Sequence, residues 1–258
     1  MKYCAVIKDD LNSKELFSSF KDKIKHEYNT ENPDYVISIG GDGTILKTFH
    51  QYPNATIFAV HTGHLGFYTN YSINDIDDLI EDINSSNYST ENLDLLSCKI
   101  IDKNGKEIID NALNEITIVT PLRTLILDVN IDNEFFEKFR GTGLCISTPS
   151  GSTAYNKSLH GSVVDCRLNL MQLTEIAGIN SNSYRTLSSP LILASNRIIT
   201  LNSIENVDVF ITVDHISYDV KDFKSLTICY SDKKLKMAYH KHEGFIKRVN
   251  RTFLISKK

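Results

Sequence analysis

Apolar and polar positions follow two different rhythms along this chain, and the change falls near residue 94. In the first third, compact apolar runs alternate with segments whose apolar residues recur at helical spacing. KYCAVI (2–7), YVISI (35–39) and ATIFAV (55–60) read as strands, and Leu16, Phe20 and Ile24 lie four apart on a helix between the first two. A second helix is predicted from Thr44, and a third, amphipathic, carries Ile76, Leu79, Ile80 and Ile83. Asn12 with Glu15 has the form of a capping box, and Asn74 stands where the third helix needs an N-cap. Strands alternating with helices predict an α/β unit built on a parallel sheet.

Beyond that point the texture is of strands joined by turns. Asn104-Gly105 separates KII from EII, and Asp132-Asn133 separates LILDVNI from EFFEKF, both with hairpin chemistry. VDVFITV (207–213) and SLTICY (225–230) are further strands, and LNLMQLTEIAG (168–178) is the one helix predicted in this part. The fold class is therefore α/β with two domains: an N-terminal α/β domain with a parallel sheet over residues 1–93, and a β-rich C-terminal domain over 94–258. A tail from about residue 241 is expected to return to the first domain.

Composition narrows the function. At 258 residues, 41% hydrophobic and 23% charged, the chain can bury a full core, so disorder is excluded. A formal net charge of −4 argues against a general nucleic-acid binder, and Lys247, Arg248, Arg251, Lys257 and Lys258 read as a solvated basic tail. No apolar run approaches the roughly 20 residues of a membrane span, and Met1 leads straight into a strand without a leader pattern. The expectation is a cytoplasmic protein with neither nucleic acid nor membrane as partner. Five scattered cysteines (Cys4, Cys98, Cys145, Cys166, Cys229) without C-x-x-C spacing read as reduced thiols rather than a disulfide framework or zinc site.

The chemistry concentrates in ISIGGDGTILKTF (37–49), a strand, a Gly-Gly-Asp-Gly-Thr turn and a helix start. Gly40, Gly41 and Gly43 let the backbone turn sharply and approach a ligand, and the amides from Thr44 onward face an anion at the helix N-terminus. This is a candidate phosphate loop. Asp42 is out of place among phosphate-seeking amides unless it serves a metal ion or a reacting hydroxyl. A P-loop is excluded, since no G-x-x-x-x-G-K-[ST] occurs, and Gly141-Thr142-Gly143 lacks the third glycine of a dinucleotide fingerprint. On the turn alone, lipid kinases of the diacylglycerol kinase type and 6-phosphofructokinases stay open.

Taken together and in order, GGDGT (40–44), HTGHLGFY (61–68), LNE (113–115), STPSGSTAYNKS (147–158), MQLTEI (171–176) and VDH (213–215) closely resemble the bacterial NAD kinases. The resemblance implies ATP-dependent transfer of a phosphoryl group to the 2′-hydroxyl of the adenosine ribose of NAD, giving NADP. It also implies two domains with substrate in the cleft between them, Mg²⁺ or a similar divalent ion, and a homotetramer. Asp42 aligns with the family's catalytic aspartate, and the residue chemistry agrees, because a ribose hydroxyl needs a carboxylate to orient it and accept its proton. Gly43 permits backbone approach to NAD. Asn114 and Glu115 suit a sugar, the Asn donating and accepting and the Glu accepting from vicinal hydroxyls. By the same resemblance Ser150, Thr153, Ala154, Tyr155, Asn156, Lys157 and Ser158 line the NAD site, with Tyr155 able to stack on a flat ring. Arg140, Thr142, Ala177 and His215 align with ligand-contacting positions, and Phe67 and Tyr68 are candidates for an aromatic wall beside adenine. No protein metal ligand is assigned.

The chain departs from the family in three places. Thr142 stands where R-G-D-G has Asp, His160 stands where S-x-G-G has Gly, and VVDCRLN (163–169) lacks a His-Pro. Two other readings remain at this stage: another GGDGT-type kinase of a lipid or sugar hydroxyl, and a paralogue that binds NAD without phosphorylating it.

Overall fold

Short apolar runs flanked by turn residues become the strands of two separate units in the computed structural model, which describes residues 1–63, 66–240 and 244–254. His64 and Leu65 of HTGHLGFY, the tail's start at 241–243, and Lys257 and Lys258 lie outside the described residues. One unit comprises Met1–Leu93 with Leu235–Lys258, the other Asp94–Lys234.

In the first unit the elements are β1 (Lys2–Ile7), α1 (Leu11–Phe20), β2 (Glu27–Tyr28), β3 (Tyr35–Gly40), α2 (Asp42–Gln51), β4 (Thr56–His61), β5 (Tyr71–Ser72) and α3 (Ile76–Ser85). β1, β3 and β4 pair in parallel, Ala5 against Ile37 and Ile37 against Phe58, as the alternating pattern requires. Tyr35, Ile37, Ile39, Phe58, Val60, Leu79 and Ile83 fill the core between sheet and helices. Helix starts differ from expectation in detail. The carboxylate of Asp10 accepts the Ser13 amide at 2.8 Å and caps α1, so the Asn12–Glu15 pair is not used. The helix ends at Phe20, leaving Ile24 after a single 3-10 turn. Before α3, Ser72 and Asp75 form a capping box on a 3-10 turn, and Asn74 lies inside that turn instead of capping the helix. In each case a nearby carboxylate or hydroxyl reached the orphan amides first.

The second unit begins within β6 (Ser89–Asp102). It continues with β7 (Glu107–Ala112), β8 (Glu115–Val119), β9 (Leu125–Ile131), β10 (Glu134–Gly141), β11 (Gly143–Ser147), α4 (Tyr155–Ser158), β12 (Leu170–Ile176), β13 (Leu191–Ala194), β14 (Ile199–Ser203), β15 (Val209–Val213) and β16 (Ile216–Val220). β17 (Phe223–Tyr239) leads out of it, and α5 (Phe245–Val249) follows in the first unit. The Asp132-Asn133 hairpin forms as predicted, both residues at positive φ. One antiparallel sheet has the order β13-β12-β11-β8-β15-β16.

The predicted helix over 168–178 is instead β12, a central strand paired with both β11 and β13. Met171 and Leu173 enter the core, while Gln172 and Thr174 are buried on the other face. Its apolar and polar residues alternate only over Met171 to Thr174, and the two partner strands override the helix propensity of Leu, Met, Gln and Glu.

Candidate active site

Asp42 is the first residue of α2, with Gly41 as the extended N-cap. Its carboxylate does not cap the helix. It turns to the segment after β4, where one oxygen accepts the Phe67 amide at 2.8 Å and the other the Tyr68 amide at 3.1 Å. A Cβ on Gly66 would overlap that carboxylate, so glycine is required there. Phe67 and Tyr68 are themselves buried, with ring centroids 6.0 Å apart. Each carboxylate oxygen keeps a lone pair beyond the one its amide uses, so Asp42 can still accept from a hydroxyl.

The glycines divide by role. Gly40 has φ of 157°, and a Cβ on it would overlap the Thr44 side chain. Around Gly41 and Gly43 there is open space where a Cβ would sit, the room a backbone–ligand approach needs. Because α2 starts at Asp42 rather than at Thr44, the Thr44 amide already donates to the Gly41 carbonyl at 2.9 Å. Thr44 is buried and its amide does not face an anion. The amides with no carbonyl one turn back are those of Asp42 and Gly43.

In the second unit, Asn114 and Glu115 stand at the start of β8, gripped from two sides. Asp214, at φ of 54° in the turn between β15 and β16, accepts the amides of Leu113 at 2.8 Å, Asn114 at 2.7 Å and Glu115 at 3.3 Å. From the other side the STPSGS turn is sewn on. Thr148 donates its hydroxyl to the Leu113 carbonyl at 2.7 Å and its amide to the Asn114 carbonyl at 2.9 Å, and it accepts the Gly151 amide at 2.8 Å. A Cβ on Gly151 would strike the Asn114 backbone.

Glu115 is buried, and its Oε2 has no hydrogen-bond partner. Burial, aided by the neighbouring Asp214 and opposed by a hydrogen bond from the Tyr155 amide, pushes its carboxyl up to about 8. Near neutral pH Glu115 therefore holds a proton and offers one donor as well as acceptor capacity, a richer partner for a ribose than an acceptor alone.

The neighbouring turn sorts its residues into scaffold and surface. Ser150 is buried, its hydroxyl 3.1 Å from that of Thr148, and Thr153 donates to the Ser150 carbonyl at 3.0 Å. Asn156 is wholly buried and accepts from Thr174 at 2.7 Å, with Gly161 packed against its amide group. Ala154 is half-buried, whereas Tyr155, Lys157 and Ser158 are exposed, as is His215 beside Asp214. His160 has φ of 61°, the left-handed backbone that the family's glycine suits.

Arg140, Thr142 and Ala177 form a separate group. The Thr142 amide donates to the Ile176 carbonyl at 3.0 Å, and Thr142 and Ala177 line a cavity of about 380 Å³ with Arg123 and Ile179. The Arg140 guanidinium lies 4.0 Å from the centroid of the Tyr184 ring. β11 separates this group from the previous one: Gly143 pairs with Val119 at one end and Ser147 with Glu115 at the other. At roughly 3.3 Å per residue, Thr142 and Thr148 are about 20 Å apart.

Sequence reasoning missed Gly66 and Asp214. Asp214 carried a visible signal, an acidic residue in a tight turn next to the singled-out His215. Gly66 carried only its place in HTGHLGFY (61–68), and the position of Asp42 is what gives it a role. Among the described residues no three His, Cys, Asp or Glu side chains are placed to hold a metal ion.

Comparison with known proteins bears on the same segments. The ATP-NAD kinase N-terminal domain model matches residues 7–88, and the ATP-NAD kinase C-terminal domain model matches residues 113–239. An NAD kinase of Staphylococcus aureus (strain JH9) is 38% identical over 265 residues, covering 99% of this chain and 98% of that one. The fold is shared with a yeast NADH kinase complexed with NADH, at a TM-score of 0.84 and 20% identity over 100% of this chain and 89% of that one. It is shared also with an NAD kinase from Archaeoglobus fulgidus in complex with ATP, at 0.75 and 22% identity over 97% and 99%.

Proposed function

The chain belongs to the ATP-NAD kinase family, and from that premise we propose that it transfers a phosphoryl group from ATP to the 2′-hydroxyl of the adenosine ribose of NAD, giving NADP. The observation that carries the mechanism is the Asp42 carboxylate, aimed by two backbone amides and set beside the open backbone of Gly41 and Gly43. Asp42 orients the 2′-hydroxyl and takes its proton as the bond from that oxygen to phosphorus forms and the bond to the ADP oxygen breaks. Because the transferring group passes through a loose transition state, proton removal comes late and positioning carries most of the work. Asn114 and the protonated Glu115 hold the dinucleotide by its hydroxyls, with Tyr155 available for stacking. The amides of Asp42 and Gly43 meet donor phosphate.

A divalent cation, Mg²⁺ foremost, belongs to the proposal as a companion of the donor phosphates. Mg²⁺ keeps several waters and leans on substrate phosphates with one or two carboxylates, so it needs no all-protein cage. When bound it neutralises phosphate charge.

The group at Arg140, Thr142 and Ala177 sits too far along β11 to share one small contact point with Glu115. We assign it to a ligand held by a second copy of the chain, which supports a homo-oligomer, in the first instance a tetramer. A cytoplasmic setting is supported by five free thiols.

The test is NADP formation from NAD and ATP by the purified chain, with lipid and sugar acceptors alongside. NADP production that falls by roughly 10²–10⁴ with Asp42→Asn is the expected result. Binding of NAD without any NADP would favour the non-catalytic paralogue, and turnover of another hydroxyl alone would favour a different kinase.

A further inference from the structure

We infer that the C-terminal segment, residues 244–254, is a positioning element for Asp42, acting through Phe245 on Phe67. This rests on the reading of Asp42 as the base. The carboxylate takes its aim from the amides of Phe67 and Tyr68, which lie between β4 and β5 outside regular structure. What fixes those amides therefore fixes the base.

Two contacts from the returning chain do so. The Asn70 side chain donates to the Ala238 carbonyl on β17 at 3.2 Å, which pins the far end of the stretch. The buried Phe67 ring meets the Phe245 ring edge-on, centroids 6.2 Å apart and planes at 74°. α5 has five residues and cannot persist by its own hydrogen bonds, so its place must come from side chains. Arg248, buried, supplies one: its guanidinium is 2.9 Å from the Glu91 carboxylate. At the other side of the undescribed residues 241–243, His240 is 3.0 Å from the Asp82 carboxylate, which also accepts from Tyr71 at 2.9 Å. The segment is thus anchored on both sides of Phe245, with Phe245 directed at the residue whose amide holds Asp42. These side chains act through Phe67 and Tyr68, not on the substrate itself. They decide where the carboxylate points, and misplacing a reacting group by about 1 Å can cost up to roughly 10²-fold in rate.

The experiment is steady-state kinetics on the full chain, with NAD and ATP each varied, for wild type, Phe245→Ala, Phe245→Tyr, Ile246→Ala, Asp42→Asn and the double variant Asp42→Asn/Phe245→Ala. Phe245→Ala should lower kcat about tenfold while both KM values stay within about twofold. Phe245→Tyr keeps the ring edge and should restore kcat to within about twofold of wild type. Ile246 is 75% exposed on the same helix, and Ile246→Ala should leave kcat unchanged. Because Phe245 acts through Asp42, its loss should cost less than about twofold in the residual turnover of Asp42→Asn. An equal loss in both backgrounds, a loss confined to KM, or unchanged kcat in Phe245→Ala would each overturn the inference and leave the base in place. Near wild-type turnover by Asp42→Asn would overturn the base itself. Should Phe245→Ala prove too unstable to assay, Phe245→Leu keeps most of the volume and is read in the same cycle.

Discussion

In the proposed reaction Asp42 carries two tasks, and the substitution that removes one disturbs the other. Asparagine can accept the amide of Phe67 or of Tyr68 through its single carbonyl oxygen, but its NH₂ group then faces the second N–H. Asp42→Asn should therefore lower turnover by roughly 10²–10⁴ at saturating substrate. It should also destabilise the fold by about 1–3 kcal/mol, the cost of a buried donor left unmade. Kinetics and urea unfolding on one preparation check both, and a variant within about threefold of wild-type turnover would remove Asp42 from the proton path. His160 is the second position where one side chain works against its backbone. Its φ of 61° costs a non-glycine residue about 1 kcal/mol, and a glycine there gives back part of that gain through a freer unfolded chain. His160→Gly should accordingly raise stability by about 0.5 kcal/mol, seen as a small rise in the urea midpoint at unchanged slope. A fall in the midpoint would mean that the imidazole makes contacts worth more than the strain. What the sequence singled out by chemistry, Asp42, Asn114 and Glu115, the structure holds in place by backbone hydrogen bonds. Residue identity was illegible where the demand is steric and set from afar, as at Gly66, whose only reason for being glycine is the carboxylate brought over it.

Elements were legible where the period of apolar residues had one reading. β1, β3 and β4 follow the predicted runs within a residue or two, and the Asn-Gly and Asp-Asn hairpins turn where their residues permit positive φ. β12 was misread because its alternation is short, Met171 to Thr174, and lies among residues that favour helices. Packing from two sides also sets the electrostatics of β8. At its start, Asp214 accepts three amides beside Glu115, whose burial raises its carboxyl. The sign of the resulting pH dependence follows. The Glu115 value of about 8 in the folded chain lies above the ordinary 4.5, so between these pH values the native state holds a proton that the unfolded chain has released. The corresponding stability is fully present below the ordinary value and is lost as pH rises through about 8. Glu115→Gln should flatten this slope, which reaches at most about 1.4 kcal/mol per pH unit. Urea unfolding of both proteins in the ligand-free state at acid, neutral and alkaline pH measures the difference. Parallel curves for the two would mean that Glu115 is ionised in the fold.

At the scale of the whole molecule, the length of one strand bears on whether the proposed site draws on more than one copy. β11 runs from Gly143 to Ser147, with Thr142 just before it and Thr148 just after, so the residues aligned with ligand contacts fall into two groups about 20 Å apart. One group has Glu115 and Tyr155, and the other has Arg140 and the cavity of about 380 Å³ at Thr142 and Ala177. A sequence motif lists both as neighbours of one ligand, because a motif records who touches the ligand and not from which copy. If the second group serves a ligand bound by a neighbouring copy, two crippled variants can rescue each other. Glu115→Ala spoils the first group and Arg140→Ala the second, and each homo-oligomer should turn over subsaturating NAD poorly. After denaturation and joint refolding of equal amounts, subunits assort at random in a symmetric assembly, and about one site in four combines an intact Glu115 with an intact Arg140 from the adjacent copy. Activity should then recover to about a quarter of the wild-type value, while either variant refolded alone stays inactive. Were both groups to serve one ligand within a single copy, every site in the mixture would carry one lesion and no activity would return. Sedimentation of the same mixture separates that outcome from a failure to assemble, since the rescue requires an oligomer and its absence in a fully assembled sample assigns both groups to one copy.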